Sequence, residues 1–312
     1  MPKNEQTVVK KSGMVSIVGR PNVGKSTLLN SICGEKISIV SKIPQTTRHQ
    51  IRGIFTDERG QIVFIDTPGL HVGRDKLDKY MNRASEGTFG DVDVVIYLAD
   101  TMRIPGQEEE YLVEKIKKLK SPVIFALNKV DTKKGARIPE YIDFFERIMG
   151  KNLDELPNVT MLPLSGEKEV NVDKLIQLVF DLLPEGELLY PEDIVTDYPQ
   201  RWAIADIIRE KLFNAMRDEL PHALDVVIES IQPKRVRTTH IKALIMVERE
   251  TQKEIVIGKG GSLLKKIGTE ARIELEALLG TKVFLECFVK VQKDWRENLS
   301  GLADQGYDLK SL

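Results

Sequence analysis

Five short apolar runs rich in β-branched residues recur between Met14 and Leu183: MVSIVG, QIVFID, DVVIYLA, PVIFALN and VTMLPL. They are apolar throughout rather than alternating, which is the pattern of strands covered on both faces of a parallel sheet. Between them, segments with helical spacing run from Lys25 to Cys33, Gly106 to Leu119, Pro139 to Met149 and Val172 to Leu183. The alternation predicts an α/β domain whose ligand sits at the carboxyl ends of the strands. Periodicity fails in LPEGELLYPEDIVTDYP, residues 183–199, where three prolines and several acidic residues mark a boundary. Beyond it the pattern predicts a helix from Trp202 to Met216, strands ALDVVIESI and IKALIMVER, a glycine-broken helical stretch from Ile255 to Leu279, and a strand VFLECFVKV. The organisation expected is a flexible extension over 1–13, an α/β domain over 14–183, a linker over 184–200, and a smaller α+β domain with its tail over 201–312.

Composition sharpens this picture in three places. At 312 residues and 41% hydrophobic, the chain can fill a core in each of two domains. The 46 basic and 47 acidic residues nearly cancel, but residues 201–293 carry a net charge of +4 while residues 1–200 carry −3. An anionic partner would therefore favour the second domain, with a solvated basic face as the bland alternative. Cys33 and Cys287 lie far apart in apolar runs without metal-ligand spacing, and read as buried thiols of a reducing compartment. No apolar run approaches the roughly 18 residues that span a bilayer, and the polar start MPKNEQTVVKKSG lacks the hydrophobic stretch of a signal peptide. A soluble, cytoplasmic protein is the expectation.

The chemistry sits where the predicted strands end. Directly after MVSIV comes G-x-x-x-x-G-K-S: Gly19, Arg20, Pro21, Asn22, Val23, Gly24, Lys25 and Ser26, with Thr27 opening a helix. Glycines let backbone N–H groups approach phosphates, the helix N-terminus favours their charge, Lys25 reaches the β and γ oxygens, and Ser26 offers its hydroxyl to Mg²⁺. Asp66, Thr67, Pro68 and Gly69 close the strand QIVFID. Asp66 suits the Mg²⁺ shell and the Gly69 N–H suits the γ-phosphate. NKVD closes PVIFAL, where Asp131 can accept from N1–H and the N2 amine of guanine, Asn128 can tether loops, the Lys129 stem can cover the ring, and Val130 completes the turn. A P-loop ATPase or small-molecule kinase would share residues 19–26, but neither needs NKVD.

The set GRPNVGKS, QTTRH, DTPGL, NKVD and IVIGKGGSLLKKIG resembles the Era family of GTPases over Met14 to about Asp308. That resemblance implies a Ras-like P-loop GTPase domain with a mainly parallel sheet, followed by an α+β type II KH domain. It further implies GTP and GDP as ligands, Mg²⁺ as cofactor, and a KH domain that binds the 3′ end of small-subunit ribosomal RNA during subunit maturation. Thr47 becomes the switch threonine that meets Mg²⁺ with Ser26 and Asp66, with Thr46 as its rival. Ser165 and Gly166 occupy the remaining base-contacting loop, in SGEK where the family usually has Ser-Ala-Leu-Lys; glycine there should keep the backbone contact and loosen the loop. Gly258, Lys259, Gly260 and Gly261 form the G-x-x-G loop, with Lys265 and Lys266 on the next helix as phosphate contacts and 234–237 as a further basic run. Aromatics are 6% of the chain, so stacking is not a marked feature, and Trp295 and Tyr307 in the tail read as packing residues. Leu70 stands where Ras-like enzymes carry a water-orienting Gln. It should point away from the phosphates, leaving Lys25, Thr47, Gly69 and a K⁺ ion held by Asn22 as the catalytic set. A nucleotide-gated RNA-binding module with little hydrolysis is the alternative. A monomer is expected, and a peripheral visit to the inner face of the cell membrane stays open.

Overall fold

The computed structural model of the chain describes residues 9–41, 43, 46–69, 75–87, 92–132, 136–216, 220–235, 238–298, 302 and 307. Its contacts divide the chain into two units: Met1–Ser38, Thr47–Val72 and Met81–Asp197 form the first, and Ile39–Thr46, Gly73–Tyr80 and Tyr198–Leu312 form the second. Among the described residues no helix is long and apolar enough to cross a membrane.

The first unit is built on β1 (Lys11–Val18), β2 (Ile51–Asp57), β3 (Gly60–Asp66), β4 (Val94–Asp100), β5 (Val123–Asn128) and β6 (Val159–Pro163). They run in the order β2-β3-β1-β4-β5-β6, parallel except for the β2–β3 hairpin. Helices α1 (Lys25–Cys33), α3 (Gln107–Ile116), α4 (Ile138–Met149) and α5 (Val172–Leu182) belong to this unit, and α2 (Lys76–Glu86) lies between β3 and β4 in the chain. Every residue of β3, β4 and β5 is buried, as their uninterrupted apolar runs predict. On one face Tyr97, Phe125 and Phe145 stack, with Phe125 and Phe145 centroids 4.5 Å apart. Burying rings of this size contributes about 2 kcal/mol each. The result is a rigid platform whose strands β1, β3, β4 and β5 end in Val18, Asp66, Asp100 and Asn128.

Three expectations about this unit need correction. Strand β1 starts at Lys11, inside the stretch read as a free extension, because its backbone pairs with β3 and its ammonium caps the end of α5 at Phe180 O, 2.8 Å away. Residues 184–197 of the expected linker are bonded to the sheet. Val195 O accepts from Ile54 N at 2.8 Å, Arg52 bonds Asp197 at 2.7 Å, and Gln61 both donates to and accepts from Tyr190, so the segment covers the open edge of the sheet. β2 and α2 have no counterpart among the predicted elements. IRGIFTD interleaves polar residues and a glycine that packs on Leu29, as an edge strand with one covered face does.

The second unit contains α6 (Gln200–Ala215), β7 (Leu224–Arg235), β8 (Thr238–Val247), α7 (Glu250–Ile257), α8 (Ser262–Leu279) and β9 (Lys282–Val291). The sheet order is β7-β8-β9, with β7–β8 antiparallel and β8–β9 parallel, which is the predicted α-β-β-α-α-β order. Ile204, Ile208, Leu212, Ile241, Ile245, Ile267 and Leu275 fill its core. Trp295 is fully buried with Nε1–H bonded to Ala223 O, and Tyr307 packs edge-on against Tyr80, so both tail aromatics serve packing.

Candidate nucleotide site and nucleic-acid loop

In the first unit the loop after β1 turns through Asn22 at φ 63 and Gly24 at φ 106 before α1 begins. The Gly24 conformation is one that L side chains avoid, and a Cβ there would also lie 2.5 Å from Asn128 Nδ2. That amide donates to Val23 O at 2.8 Å, while Asn128 Oδ1 accepts from Gly166 N at 3.1 Å. One side chain therefore ties the phosphate loop to the 165–168 loop. The backbone contact expected of Gly166 is present, and a Cβ would stand 3.1 Å from Leu28 Cα, so glycine lets this loop close on α1. Lys129 bonds Asn22 O at 3.1 Å and Asp100 Oδ2 at 2.8 Å, which lays its stem along the loop. Asp131 follows, half-buried, and Ser165 is fully buried.

Lys25 is 7% exposed, with Nζ 3.0 Å from Gly19 O and 3.1 Å from Arg20 O. Burial pushes its pKa down to about 8 against the pull of Asp66. Burial also raises the Asp66 carboxyl above its usual range, opposed by Lys25, Ser26 and Ser38. Both shifts mark a site short of countercharge, which a phosphate and a cation would supply. Ser26 Oγ donates to Asp66 Oδ2 at 2.7 Å and lies 3.0 Å from Thr47 Oγ1. Thr46 turns its hydroxyl to Ile43 O instead, so the geometry favours Thr47 over its rival. Gly69 meets the phosphate loop closely, since a Cβ there would stand 2.7 Å from Pro21 Cα. Thr67 bonds Ile17 O. Leu70, by contrast, lies outside the described residues.

Three neighbours went unnoticed in the sequence. Ser38 bonds Asp66 Oδ2 at 3.1 Å, and nothing in SIVSK signals it. Glu109 is 1% exposed and bonds Arg20 at 2.7 Å, so the Arg20 side chain is committed to α3 and only its backbone faces the loop. Asp100 was legible, because it closes the run DVVIYLA just as Asp66 closes QIVFI.

Asp66 Oδ1 is buried without a hydrogen-bond partner. Together with the Ser26 and Thr47 hydroxyls it fits a hard cation that takes few protein oxygens and the rest of its shell from phosphates, the habit of Mg²⁺. Among the described residues no cluster of three or more His, Cys, Asp or Glu side chains offers a different metal site.

In the second unit α7 stops at Gly258 and α8 starts at Ser262. Gly258, Gly260 and Gly261 have φ of 72, 60 and 79. A Cβ on Gly258 would strike Leu263 at 2.7 Å, whereas Gly260 and Gly261 face open space. Two glycines thus leave room for an approaching backbone and one closes the turn. Lys259, Lys265 and Lys266 are exposed around it. Beside the loop runs a groove of about 390 Å³ lined by Gly261, Leu264, Lys265, Gly268, Arg272 and Leu285 among others. Gly268 and Arg272 were missed, although their spacing from Leu264 marks one helix face. The side chains of 234–237 lie outside those described. β9 exposes Phe284 and Phe288, at 57% and 50%, a local pair that the low overall aromatic content hides.

A model of the 50S ribosome-binding GTPase family matches residues 14–129, and a KH domain model matches residues 219–296. The chain is 44% identical over 297 residues to GTPase Era of Halothermothrix orenii and 47% identical over 299 residues to GTPase Era of Geobacter metallireducens. Each match covers 95% of this chain and 98% of the relative. Among solved structures it is similar to Era in complex with MgGDPNP and nucleotides 1506-1542 of 16S ribosomal RNA, with TM-score 0.89 and 39% identity over 96% of this chain and all of that one. It is also similar, with TM-score 0.88 and 39% identity over the same shares, to a variant of Aquifex aeolicus Era bound to GDP.AlF4-.

Proposed function

The chain belongs to the Era family of GTPases, and from that premise we propose that it cleaves GTP in its first unit and uses its second to hold the 3′ end of 16S ribosomal RNA during small-subunit maturation. The observation that carries the nucleotide half is the meeting of Ser26, Thr47 and the unpartnered Asp66 Oδ1 beside Lys25. Ser26, Thr47 and Asp66 are the residues that would hold Mg²⁺, which when bound screens the charge of the β and γ phosphates. The backbone N–H groups of residues 22–24 and the start of α1 orient the phosphates. Lys25 offsets the charge that builds between β and γ, and the Gly69 N–H senses the γ-phosphate. Asp131 selects guanine, and Asn128 keeps the base-contacting loops in register with the phosphate loop. RNA contact is assigned to the backbone of Gly260 and Gly261, with Lys259, Lys265 and Lys266 on phosphates and unpaired bases in the adjoining groove. The reading places the protein in the cytoplasm.

Asn22 is assigned a K⁺ ion beside the phosphates, where other GTPases insert an arginine. It sits at the turn of the phosphate loop, and the loop's own arginine, Arg20, is bound to Glu109 instead. Phosphate release measured at equal ionic strength should be faster in KCl than in NaCl by about tenfold, a gain near 1.4 kcal/mol in the barrier. Asn22→Ala should erase that difference, and ATP should not be cleaved in either salt. Equal rates in the two salts would place the catalytic charge elsewhere.

A further inference from the structure

The segment that precedes Thr47 packs inside the second unit, against α6. It is held at three points. Ile43 packs on the core formed by α6, α8 and the sheet. Ser41 Oγ donates to Asn214 Oδ1 at 3.0 Å. Thr46 O accepts from Arg209 Nη2 at 3.1 Å, in a buried bond. The segment is also turned on itself, since Ile43 N donates to Ser41 Oγ at 3.2 Å and Thr46 Oγ1 donates to Ile43 O at 2.6 Å.

Two carboxylates aim Arg209 at the segment. Arg209 is 1% exposed, and so is Asp225, while Asp206 is 3% exposed. Nη2 lies 2.6 Å from Asp206 Oδ1 and Nη1 lies 3.5 Å from Asp225 Oδ1, while Tyr198 OH bonds the other oxygen of Asp206 at 3.0 Å. Two carboxylates on α6 and β7 thus fix the plane of the guanidinium and leave the second Nη2 hydrogen pointing at Thr46 O. If the segment left, that buried donor would lose its acceptor, which is unfavourable.

We propose that Arg209 is a positioning residue for GTP hydrolysis: by holding the Thr46 carbonyl it fixes the backbone from which Thr47 reaches the Ser26 hydroxyl that bonds Asp66. The idea rests on the GTPase reading given above and adds to it a residue of the RNA-binding unit. Because α6 carries Arg209 and Asn214, any event that shifts α6 changes the hold on Thr46 and thereby the rate. GDP should be indifferent, as the threonine answers to the γ-phosphate.

Two variants of the full chain test this. Arg209→Lys keeps a positive charge between Asp206 and Asp225 but gives up the planar fork whose Nη2 serves Asp206 and Thr46 O at once. Ile43→Ser removes the apolar anchor and leaves the charge cluster untouched, so it carries the test if the first variant folds poorly by its tryptophan emission. Each should lower kcat for GTP about tenfold, with KM and GDP affinity within twofold of the parent, a split that general damage would not give. The double variant should lose little more than either alone, since both release one segment. Parental kcat in both variants, or GDP affinity falling in step with kcat, would overturn the proposal. A parent chain that fails to cleave GTP would overturn instead the function on which it rests.

Discussion

Asp131→Asn is expected to weaken GTP by about a thousandfold and to admit xanthosine triphosphate, which the parent should refuse. The carboxylate ends the NKVD turn, where the chain from β5 is pinned by Asn128 to Val23 and by Lys129 to Asp100, so its position is set by the phosphate loop itself. Two charge-assisted bonds to the guanine N1–H and N2 amine are lost in the amide, each worth about 1.5–3 kcal/mol. Xanthine carries a carbonyl where guanine carries the amine, and that carbonyl can accept from the new amide. Competition binding with GTP and xanthosine triphosphate reads both effects. Unchanged GTP affinity without a gain for the xanthine nucleotide would remove Asp131 from the base site.

Replacing Lys259 and Gly260 together by Asp should weaken RNA by about a hundredfold or more while GTP affinity stays at its parental value. The exchange moves the loop by three charges toward negative, against a phosphate backbone. A Cβ on Gly260 meets nothing within 4 Å in the free protein, and Asp is among the residues that tolerate its φ of 60, so α7 and α8 should keep their places. What suffers is the close approach of a sugar-phosphate chain. Titration with a single-stranded RNA carrying the 3′ end of 16S ribosomal RNA, at matched salt, measures the loss. Parental affinity in that titration would show that the groove beside α8 does not take the strand through this loop.

The strand ends carried most of what could be read in advance. Gly-x-x-x-x-Gly-Lys-Ser after MVSIV, Asp66 after QIVFI and Asn128 after PVIFAL are legible because each stands where the apolar run of a buried strand stops. The same logic exposes Asp100, whose ion pair with Lys129 needed only the rule already applied to Asp66. α1 begins at Lys25 and ends at Cys33 as its spacing predicts, with Gly34 in the left-handed conformation that stops it. Legibility fails where partners come from far along the chain. Ser38 reaches Asp66 across 28 residues, and Tyr190 and Val195 pair with β2 and β3 across more than a hundred, so composition alone made 184–200 look like a spacer. The hold of Arg209 on Thr46 spans 163 residues and leaves no mark in local pattern, because an arginine at a helical position reads as a solvated face until its burial is seen.

The hold of Arg209 on Thr46 ties the backbone of Thr47 to α6, so the nucleotide state of the first unit should change how tightly the second takes RNA. The direct measurement is a titration of the full chain with the same 3′-terminal 16S RNA strand, once saturated with Mg²⁺ and a non-hydrolysable GTP analogue and once with GDP, at one salt concentration. The account predicts dissociation constants that differ by about tenfold or more between the two states, a coupling near 1.4 kcal/mol, with nucleotide affinity changed by RNA in the same ratio. Equal RNA affinity in both states would contradict it and leave the two units joined only by the chain.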